Sequence, residues 1–122
     1  MQIPTDEEFD VIISEELDTL PEKYTSRLKN VAILYEDVPS QEQREKLQLH
    51  CNQTLFGLYE GIPLPKRGGM TPLFPDKITI FKVPLAATSK DLTELKAQVR
   101  HTLWHEMAHY FGLDHKRIHE LE

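Results

Sequence analysis

One cysteine, Cys51, is all the thiol chemistry this chain holds. A lone thiol closes no disulfide within the chain, so the fold must stand on packing alone. Cys51 sits in a polar helical stretch without the turn that presents a nucleophile, and it reads as structural. The opening residues lack the basic stretch and apolar run of a secretory leader, and no apolar run approaches the ~18 residues that a membrane helix requires. These absences predict a cytoplasmic setting and argue against a membrane partner. Positive charge is also scarce. The 14 Lys and Arg face 20 Asp and Glu, a net charge of -6, whereas a surface that tracks phosphates needs the opposite balance. Nucleic acid is therefore not an expected partner. Much of the acidic excess, from Asp6 to Glu22, reads as one solvated helix face.

No second cluster of Gly and Pro marks a linker between two cores, and there is no internal repeat, so residues 1–122 are expected to form a single domain. Phe9, Ile12, Ile13, Leu17 and Leu20 recur at helical spacing over residues 6 to 20, after a Thr5-Asp6 start suited to capping and before Pro21, which ends the run. Residues 31 to 38 read as a strand, with Val31, Ile33 and Tyr35 on one face and Ala32 and Leu34 on the other, both faces able to be covered. Ser40 and Gln43 resemble a capping box for a surface helix reaching about Cys51. A short strand follows at residues 55 to 59, then a Gly- and Pro-rich loop over residues 61 to 69 that can continue neither regular structure. A third strand is expected over residues 77 to 83, with Pro84 marking it as an edge strand able to pair with an extended peptide. Ser89 is the expected cap of the last helix, whose core face carries Leu92, Leu95, Val99 and Leu103.

That last helix ends in His105-Glu106-Met107-Ala108-His109-Tyr110-Phe111-Gly112-Leu113-Asp114-His115, an ungapped H-E-x-x-H-x-x-G-x-x-H. Four residues along a helix advance about 6 Å and return to nearly the same side, so His105 and His109 project towards one point. Gly112 can adopt positive φ without a Cβ penalty, stopping the helix and swinging His115 back to the same ion. Three imidazoles leave a fourth zinc position for water, the open arrangement of catalytic sites. Glu106, beside the first ligand, can take that water's proton and pass it to a leaving amine. Asp114 either orients a ligand imidazole or competes with His115 as third ligand. His101, one turn upstream, reads as supporting or structural, since a fourth imidazole would close the site. His119 and His50 carry no signal, and Trp104, Met107, Ala108, Tyr110 and Phe111 read as core.

Taken with Leu55 to Leu64, Pro75 to Phe81 and Arg117 to Leu121, this motif resembles the minimal zincin-like metallopeptidase family of bacteria, over most of the chain after about Asn30. The resemblance implies an α+β fold: a short three-stranded mixed sheet, an N-terminal helix and a C-terminal active-site helix. It also implies one Zn2+ ion and a peptide or protein substrate. In that family the third-ligand position is often acidic, whereas His115 stands here, nearer the metzincin pattern; no Met follows Met107, so the methionine turn of metzincins is lacking. The expected function is hydrolysis of peptide bonds, with His105, His109 and His115 holding zinc and Glu106 as general base. Two alternatives stay open. One is a zinc-binding protein with negligible turnover. The other is a metal-dependent endoribonuclease, since Gly112-Leu113-Asp114-His115 is similar to the three-histidine site of such enzymes, although the acidic charge gives RNA poor footing. The loop over residues 61 to 74, with Lys66 and Arg67, either gates the zinc face or leaves it open.

Overall fold

The computed structural model describes residues 1–28, 30–50, 56–62 and 75–113, with the backbone alone for 46–50. Helix α1 spans Asp6–Thr19 and opens on a complete capping box: Thr5 Oγ1 accepts from the Glu8 amide at 3.1 Å and Glu8 Oε1 from the Thr5 amide at 3.2 Å. Leu20 is extended at φ -75°, ψ 152°, as the residue before a proline must be. The expected apolar stripe is buried: Phe9, Ile12, Ile13 and Leu20 face inward, with Leu17 half-buried beside them. Pro21 does more than stop the helix. It starts a single turn, α2 (Glu22–Thr25), that carries Tyr24 against Trp104, ring centroids 4.9 Å apart.

Strand β1 covers Val31–Glu36, β2 covers Gly57–Glu60 and β3 covers Asp76–Phe81. Their order is β1-β3-β2, with β1 parallel and β2 antiparallel to β3, so the sheet is mixed and the fold is α+β. The expectation that residues 77 to 83 form an edge strand is wrong: β3 is the central strand, paired on both sides. Pro84 misled because it lies outside the strand. The chain passes from Phe81 directly into helix α4 (Lys82–Thr88), and Pro84 occupies its first turn, where an amide has no intrahelical partner to lose. Helix α3 (Gln41–His50) is capped as expected, Ser40 and Gln43 exchanging side-chain-to-amide bonds at 2.8 and 3.1 Å.

Val31, Ile33 and Tyr35 turn one face of β1 to the core, and Tyr35 meets Phe9 edge-on at 5.7 Å. The other face carries Leu34, which is 43% exposed, so burial on both sides does not hold at that position. Ile78 and Ile80 of β3 face the same core. Helix α5 (Leu92–Tyr110) packs on α1 and on β2 and β3. Its N-cap is Asp91, whose side chain accepts from the Glu94 amide at 2.8 Å. Ser89, the expected cap, instead closes α4, its hydroxyl donating to the Leu85 carbonyl at 2.8 Å. The start of α5 therefore shifts, and Leu92 lies exposed while Leu95, Val99 and Leu103 are fully buried.

Lys82, which falls within the strand expected over residues 77 to 83, is buried at the junction of α4 and α1. Its Nζ lies 2.6 Å from Asp6 and 3.4 Å from Asp37. The hydrogen bond to Asp6, outweighing burial, raises its pKa above the ordinary 10.5. A raised amine pKa contributes stability that is complete below the unfolded-state value and lost as pH climbs through the folded-state one. Denaturant titrations of the wild type and Lys82→Met should therefore differ by a constant amount from neutral pH to pH 9, and the difference should shrink above about pH 10.5. A difference that grew with alkalinity would contradict this placement.

Candidate metal centre on helix α5

The second half of α5 is buried on several sides: Leu103, Trp104, Met107, Ala108 and Tyr110 are enclosed, as expected of core residues, Thr102 is enclosed with them, and Phe111 is half-buried at the end. Two polar residues share that burial, His105 at 5% and Glu106 at 4% exposure, while His109 one turn on is half-open. Burying an imidazole and a carboxylate beside apolar neighbours is costly unless each is bonded. Both are: His105 Nδ1 and Glu106 Oε2 are 2.9 Å apart, and Glu106 Oε1 accepts from the backbone amide of Tyr59 at 3.0 Å.

The helical spacing brings the two imidazoles together as expected, with ring centroids 4.8 Å apart and planes at 77°. His105, Glu106 and His109 each offer a donor atom, and these atoms all lie within 4.8 Å of one another. Among the described residues this is the cluster able to hold a metal ion. Two imidazole nitrogens with a carboxylate at hand form a donor set that suits zinc. The Glu106 carboxylate occupies Nδ1 of His105 and so leaves Nε2 as the nitrogen available for coordination. His101 is exposed and stands outside the cluster.

Gly112 has φ 76°, in the left-handed region. The Leu113 amide donates to the Ala108 carbonyl and the Gly112 amide to the His109 carbonyl, each at 3.0 Å. These two bonds form a Schellman motif, and Leu113 tucks against the core beside it. The helix therefore stops and turns at Gly112 as the spacing predicted. Asp114 and His115 lie outside the described residues, as do Cys51, Lys66, Arg67, His119 and loop residues 63 to 74. Gly112→Ala should cost roughly 1–2 kcal/mol, and Gly112→Asn clearly less because asparagine tolerates this conformation. Equal losses in thermal denaturation would show that positive φ is not what matters there.

Sequence reading missed the strand side of this site. Gly57 in β2 stands opposite α5, and a Cβ built there would lie 2.6 Å from Thr102 Cγ2 and 3.3 Å from Glu106 Cγ. Tyr59 reaches Glu106 through its amide and Asp76 through its phenol, a short bond to a carboxylate that is 3% exposed. A glycine inside a strand is itself a signal of close backbone approach.

A family model described as zincin-like metallopeptidase matches residues 28–122. No curated protein matches the chain. No helix among the described residues is long and apolar enough to cross a membrane.

Proposed function

The chain belongs to the zincin-like metallopeptidase family, and from that premise we propose that it hydrolyses peptide bonds, with one zinc ion held by His105, His109 and His115 and with Glu106 as general base. The observation that carries this reading is the convergence of His105, Glu106 and His109 within 4.8 Å at the buried end of α5. Zinc bound there would supply a Lewis acid that makes water nucleophilic near neutral pH.

His105 and His109 present their nitrogens from one helix face, and the helix stops at Gly112, three positions before His115 in the sequence. Glu106 accepts the proton that water loses as it attacks the scissile carbonyl, and returns it to the amine nitrogen as the peptide bond breaks. The low exposure of Glu106 keeps bulk water from competing for that proton. Alignment of the substrate cannot rely on β3, which is paired on both edges. A cytoplasmic location and the absence of a nucleic-acid partner remain part of the proposal, resting on the cysteine count and the acidic charge.

Metal analysis by mass spectrometry on the purified wild type, His105→Ala and His109→Ala, with a quenched peptide library on the wild type, tests this reading. One zinc per chain in the wild type, none in either variant, and cleavage by the wild type are the expected results. Zinc bound without cleavage would favour a zinc-binding module instead. Zinc retained by both variants would overturn the ligand assignment.

A further inference from the structure

We propose that the backbone of β2 is the positioning device for Glu106: the Tyr59 amide holds Oε1, and Gly57 is the residue that lets strand and helix approach closely enough for it to do so. The proposal deepens the reading of Glu106 as general base and rests on it.

Thr102, Glu106 and Tyr110 are spaced four apart and line one face of α5. Two strand residues advance about 6.6 Å and four helix residues about 6 Å, so β2 can track this face in register. Gly57 lies against Thr102 and Glu106, and the Tyr59 ring meets that of Tyr110 edge-on at 6.1 Å. The gap at Gly57 is set from both sides. A Cβ would also lie 3.3 Å from the Thr79 carbonyl behind it. In front, the Thr102 hydroxyl donates to the Gln98 carbonyl at 2.8 Å, which fixes the rotamer that aims its methyl at the strand. An alanine at position 57 therefore has to push β2 away from α5. The Tyr59 amide bond, at 3.0 Å, has little slack, because a retreat of about 0.5 Å takes it to the limit of a hydrogen bond.

The far side of Tyr59 is pinned as well. Its phenol donates to Asp76 Oδ2, and Asp76 is itself anchored at the start of β3, its amide donating to the Asn30 carbonyl at 2.9 Å. A backbone donor held this way cannot rotate off its acceptor as a side chain can, so the carboxylate is oriented before any substrate arrives. The two histidines take their backbone spacing from α5, and the contact of Glu106 Oε2 with His105 Nδ1 joins neighbouring residues of that same helix, so neither depends on β2. Disturbing β2 should thus misplace the base while sparing the metal.

Alternate amides of an antiparallel strand face its partner. Because the Tyr59 amide turns to Glu106 and the Phe56 carbonyl accepts from the Phe81 amide, the amides of Leu58 and Glu60 face β3. Amide hydrogen exchange by NMR on the zinc-loaded protein should show Tyr59 exchanging at least about tenfold faster in Glu106→Ala than in the wild type, with Leu58 and Glu60 unchanged. Gly57→Ala should show the same loss at Tyr59, a fall in peptide turnover of at least about tenfold, and zinc affinity by chelator competition within about threefold of the wild type. Adding Thr102→Ser, which removes the obstructing methyl and keeps the hydroxyl, should restore Tyr59 protection and most of the turnover; it also supplies the test if Gly57→Ala alone fails to fold.

Tyr59 protection unaffected by Glu106→Ala overturns the proposal. So does wild-type turnover in Gly57→Ala, or a loss of zinc that parallels the loss of turnover and makes the glycine merely structural. A wild type that cleaves no peptide while Tyr59 responds as expected leaves the carboxylate held as proposed, and the general-base reading alone fails.

Discussion

Glu106→Gln is expected to bind one zinc as the wild type does and to lose peptide hydrolysis by about a hundred- to ten-thousand-fold, the range that positioned proton transfer contributes. Glutamine keeps the shape of the side chain and an acceptor for the Tyr59 amide at 3.0 Å, so the fold should hold, while its amide nitrogen takes the place of the oxygen that faces His105 Nδ1. What the substitution removes is the basic oxygen. The paired measurement is zinc content and steady-state turnover on one preparation. Turnover within a few-fold of the wild type would exclude Glu106 as the proton acceptor, and lost zinc would instead make it a support of the metal through His105 Nδ1.

Phe9→Ala is expected to destabilise the protein by about 3–5 kcal/mol, the cost of a large cavity in a packed core. Phe9 is fully buried, belongs to the cluster that includes Leu103, Trp104 and Met107 of α5, and meets the ring of Tyr35. A domain is typically stable by only about 5–15 kcal/mol, so this one side chain carries a large fraction of the total. The same cluster supports the helix that presents His105 and His109. Zinc binding should thus raise the melting temperature of the variant, since ligand binding to the native state alone offsets part of the loss. A denaturation midpoint close to the wild type's would mean that α1 is not part of the cooperative core.

Local patterns survived the passage from sequence to structure. The cap at Thr5, the capping box at Ser40, the inward stripe of α1, the face of β1 that carries Ile33 and Tyr35, and the turn at Gly112 each depend on residues within a few positions of one another. The same holds for His105 and His109, whose convergence is a property of any α-helix. Pro84 and Ser89 were misread for a related reason. Each is a boundary signal, and the short helix α4 falls between them, so the proline that looked like a strand edge starts a helix and the serine that looked like a start ends it.

Caps, periodicity and a contiguous motif act over one or two turns of chain, which is why the helix that carries the candidate metal site, its stop and the mix of helices and strands are legible in the residues alone. The central place of β3 in the sheet, the burial of Lys82 between two aspartates, and the position of Gly57 and Tyr59 beside the glutamate emerge only from the folded chain. Strand order and the partner of a buried carboxylate are contacts between segments tens of residues apart. Pairing energies for either edge of a strand are alike until the whole sheet packs against α5, so no local pattern distinguishes them.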